Sequence, residues 1–399
     1  MQPLKPGLGS GRVVVTGVTL RCAGSAAGGH RPFLPDRCLG TPDVDAAVLG
    51  VPQLARVEGL LADPTLEDDR KGWLAGACAA EMEVPSGARL GLFLGTGLSS
   101  LTPMELEVDL YPFLQNGRFD REKMGKVLTN APAVRRHLPS RVTDHLAARL
   151  GAIRAETSFS ACAAAAQSIA AAARAVAVGQ VDVALAGGHD SMLHPIGILS
   201  FVILGALSEG AARPFDRHRS GFLLGEGAAL LRLEREEDAR ARGAPVLARL
   251  LGAGSSVDAW NVTAPHPEGR GAELAMRRAL REAGLEAGDV HYVNAHGTGT
   301  PIGDRAEALA VSRVFGDVPV SSFKGAVGHT IAAAGAVEAA LCLACFSEGV
   351  LPETVGLVEP DPACPANVLM ERVYRKPGAL LSNSFGFGGQ NCALIFGAA

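Results

Sequence analysis

Cys162 is the first residue whose type and setting could carry chemistry. It ends the segment ETSFSAC, residues 156–162, where an extended stretch gives way to a run of alanines that predicts a helix. A thiol at a helix start lies near the positive end of the helix dipole, which lowers its pKa and favours the nucleophilic thiolate. A lone cysteine among alanines is more often a small buried hydrophobic residue. The residues farther along the chain favour the nucleophile.

Two histidines follow in settings that suit catalysis. His296 lies in VNAHGTGTPIGD, residues 293–304, a loop after a predicted strand, and His329 follows Gly328 at a predicted helix start. Loops at strand ends often carry catalytic groups. A positive helix end keeps an imidazole such as His329 uncharged, able to donate one hydrogen bond and accept another. The alternative is a capped core histidine, although the small residues around His296 leave little bulk for a core.

A glycine-rich segment near the C-terminus is a further candidate. NSFGFGGQN, residues 383–391, lies between two apolar runs and has three glycines within four residues. Glycines let the backbone approach a ligand and present N–H groups to a developing oxyanion. Taken alone, a hairpin turn is the better interpretation. Cys342 and Cys345 form a CxxC pair within an apolar helical run, and without a second pair they favour core packing over a zinc site.

The elements that must position these residues alternate along the chain. Short apolar runs predict buried strands at 13–16, 90–95, 181–187, 292–295, 318–322 and 379–382, and helices ending near glycines are predicted at 142–150, 163–178, 272–283, 304–315 and 331–347. This alternation predicts an α/β fold with sheets covered on both faces. The charged segment 234–243 predicts a boundary between two parts, 12–242 and 243–399. The similar strand-to-helix events around Cys162 and His329 suggest a duplicated unit.

Composition narrows the class of protein. Of 399 residues, 48% are hydrophobic and 20% charged, which excludes disorder, and 37 basic against 41 acidic residues give a net charge of −4. Near balance gives no reason to expect a nucleic-acid or membrane-surface partner. The longest apolar run, 195–207, falls short of the ~20 residues that cross a bilayer. Eight cysteines and a start without a signal-peptide core predict reduced thiols in the cytoplasm.

The sequence resembles the elongating β-ketoacyl synthases, condensing enzymes of the thiolase-fold superfamily. The resemblance runs from about residue 90 to 396 and is dense after residue 157. It rests on ordered motifs: the Cys162 segment, PIGI at 195–198, RPFD at 213–216, GEG at 225–227, TAPHPEG at 263–269, NAHGT at 294–298, GHT at 328–330, AGAVE at 334–338 and NSFGFGG at 383–389. It implies a five-layered αβαβα fold of two similar halves.

The resemblance also implies roles for these residues. Cys162 would accept an acyl chain from an acyl carrier protein. His296 and His329 would promote decarboxylation of a malonyl thioester and stabilise the enolate, which then attacks the acyl group. The amides of Cys162 and Phe387 would form the oxyanion hole, with supporting roles for Lys324 and Glu338. This chemistry calls for no organic cofactor and no metal.

Substrate and partner contacts follow from the same resemblance. The substrate is expected to contact Phe201, Ile203, Thr298, Thr300, Phe385 and Phe387, although the run around Phe201 suits core or dimer packing nearly as well. An acidic carrier protein needs basic residues at the pocket mouth, and the candidates by rough position are Arg70, Lys71, Arg135 and Arg136. A homodimer is expected, with no nucleic acid and no membrane as partner.

Four departures from the family pattern leave substrate choice open. His189-Asp190 stands where Ala-Glu is common, Gln390 where Thr is common, Gly299 where Ser is common, and Ala164-Ala165 where a hydroxyl residue and Gly are usual. They favour a specialised pathway such as polyketide or polyene assembly over housekeeping fatty-acid synthesis. Alternatives are an enzyme that stops at decarboxylation or acyl transfer, a catalytically idle partner of another synthase, and a Cys/His hydrolase, which would leave the second histidine unexplained.

Overall fold

Strands and helices alternate along the chain. The structure, a computed structural model, describes residues 13–25, 35, 51–66, 69–98, 111–115, 118–128 and 138–399. Its strands are β1 Val13–Arg21, β2 Leu90–Thr96, β3 Leu114–Gln115, β4 Arg118–Phe119, β5 Arg154–Ser158, β6 Val183–Ser191, β7 Glu226–Arg235, β8 Ala248–Val257, β9 Val293–Asn294, β10 Pro319–Ser321, β11 Asn367–Val368, β12 Ala379–Gly386 and β13 Gln390–Ala398. The α-helices are α1 Arg70–Ala80, α2 Arg121–Leu128, α3 Arg141–Leu150, α4 Ala164–Ala177, α5 Pro195–Ile203, α6 Glu236–Ala241, α7 Arg270–Ala283, α8 Pro301–Phe315, α9 Lys324–Val327 and α10 Ala334–Glu348.

The main sheet contains the same five-strand unit twice. Its order is β11-β10-β9-β12-β13-β8-β1-β7-β6-β2-β5. Across the sheet, the strands of one unit follow the order β5-β2-β6-β7-β1, and those of the other follow β10-β9-β12-β13-β8, with β11 added at the edge. Numbered along the chain within each unit, both orders are third, second, fourth, fifth and first strand. The first two pairings of each unit are parallel and the last two antiparallel. The two units meet where β1 pairs with β8. The boundary between residues 242 and 243 stays a prediction.

Three buried clusters pack helices against the two halves of the main sheet, each half forming one layer. The largest cluster contains α4 and α10 and residues from strands of both halves, which places these two helices between the sheets. A second cluster packs α7 and α8 on the outer face of the second half. A third packs α1 and α3 on the outer face of the first half. The order α1/α3, sheet, α4/α10, sheet, α7/α8 is the expected five-layered αβαβα fold.

The small residues of α4 allow this close packing. A Cβ on Gly95 of β2 would lie 2.3 Å from the Ala165 amide nitrogen, so only glycine permits helix and strand to approach so closely. The stretch Ile331–Glu348, which includes α10, is long and apolar enough to cross a membrane, but 89% of it is buried inside the protein. Its burial on all sides explains its apolar composition and identifies it as a core helix.

Candidate active site

Cys162 lies where the strand β5 leads into α4. It is the middle residue of a 3-10 turn, Ala161–Ala163, directly before that helix, and only 8% of it is exposed. The turn begins with a strained backbone, because Ala161 has a φ of +47° in the left-handed region that alanine rarely adopts. The predicted strand-to-helix junction is therefore present, and it carries the thiol in the middle of the turn.

The protonation state of Cys162 differs from the sequence-based expectation. Burial raises the pKa of the Cys162 thiol to about 12, and the nearby Lys324 ammonium offsets only part of this rise. The helix dipole was expected to keep the sulfur anionic. Burial acts in the opposite direction, because a thiolate in this position loses its hydration, and the raised pKa favours a neutral thiol in the free site.

The imidazole of His329 lies beside the Cys162 sulfur. Its Nε2 lies 3.2 Å from Cys162 Sγ. Its Nδ1 accepts a hydrogen bond from the Ile331 amide at 3.2 Å, so Nδ1 carries no proton. Burial and the charge of Lys324 hold the pKa of His329 well below its ordinary value, which keeps the ring neutral. A neutral ring without a proton on Nδ1 carries it on Nε2, so His329 donates toward the sulfur.

His296 completes a compact trio. Its backbone amide and that of Gly297 each donate to a carboxylate oxygen of Glu307 at 2.8 Å, which fixes the loop after β9. Burial, Lys324 and His329 hold the pKa of His296 well below its ordinary value. Cys162 Sγ and one ring nitrogen from each histidine lie within 4.8 Å of one another. The three groups are close enough to act on one small ligand.

This donor set could also be considered for a metal ion. Zinc accepts thiolate and imidazole ligands, so the spacing alone would permit it. In the free site the ring of His329 meets the sulfur with an N–H donor, and burial favours the protonated thiol. This protonation pattern suits stabilisation of a negatively charged oxygen by hydrogen bonds.

A buried ion pair lies behind the histidines. Lys324 at the start of α9 bonds Glu338 of α10, with their side chains 1% and 3% exposed. The other carboxylate oxygen of Glu338 accepts the Asn294 side-chain amide at 3.0 Å. The ammonium of Lys324 lowers the pKa of both histidines and of the thiol. Lys324 thereby favours neutral imidazoles, as a supporting residue would.

The trio lies in a cavity of about 370 Å³. Five of the six expected substrate residues line it: Phe201, Thr298, Thr300, Phe385 and Phe387. Ile203 is the exception, because it ends α5 with 75% of its surface exposed. Phe222, which the sequence did not single out, also lines the cavity and packs edge-on against His329 with ring centroids 5.0 Å apart.

The glycine-rich segment is both a hairpin turn and part of the cavity wall. Phe387–Gly389 forms the turn between β12 and β13. At the end of β12, a Cβ on Gly386 would lie 2.9 Å from the Cys162 amide nitrogen. Only glycine lets the end of β12 approach the Cys162 turn so closely. On the outer side, Asp258 donates its amide to Gly389 O at 2.9 Å and so ties the turn to the loop after β8.

Two buried carboxylates were missed from sequence. Glu307 holds the His296 loop, and Asp304 accepts the amides of Phe215 at 2.7 Å and Gly299 at 3.0 Å. Burial raises the pKa of Asp304 to about 6 and that of Glu307 to about 7. Both lie in the first turns of α8 at a three-residue spacing, which places them on one face of the helix. That spacing was the signal in the sequence by which the two carboxylates could have been predicted to act together.

Comparison with known proteins assigns the chain to a family. The family model "Beta-ketoacyl synthase, N-terminal domain" matches residues 74–239, and "Beta-ketoacyl synthase, C-terminal domain" matches residues 247–358. The chain belongs to the β-ketoacyl synthase family. The 3-oxoacyl-[acyl-carrier-protein] synthase 2 of Mycobacterium tuberculosis is 37% identical over 326 residues, which cover 77% of this chain and 74% of that protein. This synthase is thus a condensing enzyme of the acyltransferase class.

Solved structures agree on the fold. A type II polyketide ketosynthase in complex with its acyl carrier protein superposes with a TM-score of 0.83 at 24% identity, covering 99% of this chain and 100% of the other. The ishigamide ketosynthase/chain length factor gives a TM-score of 0.82 at 29% identity, covering 97% of this chain and 99% of the other. These likenesses confirm the predicted fold class.

Two of the residues expected to bind a partner of the synthase are engaged within the chain. Arg70 Nε donates to Glu226 at 2.7 Å, and its Nη2 donates to Val57 O at 3.0 Å. Lys71 is only 5% exposed and donates to Leu98 O at 2.8 Å. These bonds pair Arg70 with a carboxylate of the same chain and bury Lys71, which argues against a carrier-protein contact at either residue. The other two candidates, Arg135 and Arg136, lie outside the described residues.

Proposed function

We propose that this synthase joins an acyl group held on Cys162 to a malonyl thioester by decarboxylative Claisen condensation. His296 and His329 act as donors to the enolate oxygen in this proposal. The observation that carries it is the trio itself, with three reactive atoms within 4.8 Å of one another in a cavity of about 370 Å³. A single thioester oxygen can meet both imidazoles while its α-carbon faces the sulfur.

The proposed reaction has two halves that balance. In the first, the Cys162 sulfur attacks an acyl thioester, the bond from the acyl carbon to the carrier sulfur breaks, and the thiol proton ends on the departing thiol. In the second, the malonyl thioester loses its carboxylate as CO₂, and the bonding electrons form an enolate. The enolate carbon attacks the acyl carbon, the bond to Cys162 breaks, and the cysteine takes up a proton.

Neutral histidines suit the second half. A neutral imidazole with a proton on Nε2 is a hydrogen-bond donor whose protonation state need not change during the reaction. One such donor, aimed in advance at a developing oxyanion in a site that excludes water, is worth about 3 kcal/mol. The covalent acyl group also holds the electrophile beside the carbanion, which replaces an encounter in solution.

We further propose that the substrates arrive on an acyl carrier protein in a specialised pathway such as polyketide or polyene assembly. Support comes from the departures at His189-Asp190, Gly299 and Gln390, and from likeness to a ketosynthase whose partner is an acyl carrier protein. For docking, Arg135 and Arg136 remain the candidates. Reversing both charges should weaken carrier binding and leave reaction with a small acyl thioester intact; unchanged binding would remove this docking proposal.

A homodimer is proposed as the assembly, with a second copy of this chain as the occupant of the apolar surface at the end of α5. That surface exposes Leu199, Val202, Ile203 and Leu204 by 42%, 37%, 75% and 50%. A solved relative pairs a ketosynthase with a chain length factor, a pairing that supports contact with another chain. Light scattering should give twice the mass of one chain for wild type and the mass of a single chain for Val202→Asp. A monomeric wild type, or pairing only with a different subunit, would overturn the homodimer.

The proposed reaction is tested by measuring the mass of the intact protein, which increases when an acyl group is attached. The synthase is incubated with a panel of acyl carrier proteins and acyl-CoAs, with Cys162→Ala as control. We expect an acyl adduct on wild type only. Malonyl thioester should then release CO₂ and yield a β-ketoacyl product, while His296→Ala and His329→Ala still form the adduct but lose most of the second step. No adduct would favour an idle partner, and CO₂ without product would favour a decarboxylase.

A further inference from the structure

The structure contains the strained turn of Cys162 twice. Ala161, with a φ of +47°, begins the 3-10 turn before α4, and Ile331, with a φ of +50°, begins the turn Ile331–Ala333 before α10. These are equivalent positions in the two repeated units, so Cys162 corresponds to Ala332. A left-handed conformation is a genuine strain for a β-branched residue such as Ile331. It persists only where the surroundings hold it.

The two turns differ in what faces their middle amide. At Cys162, the neighbouring strand end is Gly386 of β12, which has no side chain that could accept the amide. At Ala332, the neighbouring strand end is Asp190 of β6, and its Oδ2 accepts the Ala332 amide at 3.1 Å. β6 and β12 are the fourth strands of their units. In the second turn a buried carboxylate thus accepts the amide that corresponds to the Cys162 amide, which the family resemblance assigns to the oxyanion hole.

This carboxylate is costly to bury, so its position calls for a role. Asp190 is 0% exposed, and its Oδ1 has no hydrogen-bond partner among the described residues. The cation that acts most strongly on it is Lys71 of α1, opposed by Asp69, the residue before that helix. Lys71 forms no direct ion pair with Asp190 among the described contacts, and its ammonium donates to Leu98 O at 2.8 Å. The hydrogen bond to Ala332 is therefore its closest engagement outside its own strand.

We propose that Asp190 is a positioning residue for His329. By holding the Ala332 amide, it keeps Ile331 in the strained conformation that presents the Ile331 amide to Nδ1 of His329. That second bond excludes a proton from Nδ1 and leaves Nε2–H aimed at Cys162. The consequence for condensation rests on the proposed function, whereas the consequence for the reactivity of Cys162 rests on the geometry alone.

The test compares variants that separate the charge of Asp190 from its hydrogen bond. Asp190→Asn removes the charge and keeps an oxygen acceptor, and Asp190→Ala removes both. Each is made with His329 present and with His329→Ala. The first readout is the rate of Cys162 alkylation by iodoacetamide at pH 8, measured by the mass of the Cys162 peptide; it needs no substrate. The second is kcat of condensation. Thr96→Val is the matched control and should equal wild type, because it removes a buried hydroxyl of β2 that has no hydrogen-bond partner among the described residues.

With His329 present, we expect Asp190→Ala to alkylate at least fivefold more slowly than Asp190→Asn, and kcat to fall in the same order. In the His329→Ala background the two should agree within twofold, because a positioning residue has nothing left to position. The same ratio in both backgrounds, or no difference with His329 present, would overturn the proposal. If Asp190→Ala does not fold, Asp190→Leu, which keeps volume without an acceptor, is judged by the same criterion. If even wild type condenses nothing, the proposed function fails while alkylation still decides this inference.

Discussion

The pH dependence of Cys162 alkylation tests the electrostatics of the site directly. With a thiol pKa of about 12, the reactive thiolate is the minor form throughout the neutral range, and its fraction grows tenfold for each unit of pH. Between pH 7 and pH 10 the alkylation rate should therefore rise roughly 1,000-fold. A cysteine with the ordinary pKa of about 8.5 would rise only about 30-fold over the same range and level off near pH 9.

The assay is single-turnover labelling with iodoacetamide, followed by quantification of the Cys162 peptide. The other cysteines in the described part of the chain are also buried, so site-specific detection is needed, and Cys162→Ala gives the background. Circular dichroism at each pH confirms that the fold is intact. A rate that levels off below pH 10 would refute the reasoning, because it would mean that burial does not raise the pKa of the thiol above its ordinary range.

Three other predictions concern the surroundings of the trio. Gly386→Ala should place a methyl group against the Cys162 amide and reduce kcat roughly 10²- to 10³-fold, as loss of an oxyanion donor does, with an unchanged circular dichroism spectrum; a loss below tenfold would contradict this. Lys324→Met should leave Glu338 in the core without its cation and lower the free energy of unfolding by about 3–5 kcal/mol, measured with urea; Lys324→Met with Glu338→Gln should recover part of this loss, and equal losses would argue against the ion pair. Phe222→Ala should let longer acyl chains form the adduct, since its ring lines the cavity beside Phe201; an unchanged chain-length profile would show that Phe222 sets no limit.

Local signals predicted much of this fold. The helices predicted to end at Gly151, Gly284 and Gly349 do so, and each glycine adopts the left-handed conformation that ends a helix. The motifs around Cys162, His296 and His329 predicted the residues that the fold brings together. They could do so because these motifs combine residue type with the junction of two elements, which is a property of neighbours in sequence.

Features set by distant parts of the chain were not accessible in this way. The strand β7 was missed because it contains Arg232 and Glu234, charged residues that are typical of a protein surface. Both are buried in the structure. Arg232 donates to the Thr16 hydroxyl of β1 at 2.9 Å, and that hydroxyl donates to Glu234, 218 residues away. The charge of Lys71 was misjudged for the same reason, because its burial depends on where the chain at Leu98 passes.

The pKa of Cys162 shows a similar limit. Its position at a helix start is visible in the sequence, but the hydration of its sulfur depends on side chains that come from the other half of the chain. His329 and Ile331, which pack around it, follow it by more than 160 residues. Whether a helix dipole or burial decides the protonation state is therefore a tertiary property.

The strand β1 has a consequence for how the protein is made. It is the seam of the main sheet, and its partners are residues 228–235 of β7 and residues 248–249 of β8. A ribosome adds roughly 5–20 residues per second, so β1 leaves the tunnel roughly 10–40 s before those partners exist. During that interval an apolar strand has two unsatisfied edges. Nascent chains of this synthase should therefore depend on holding chaperones early in translation.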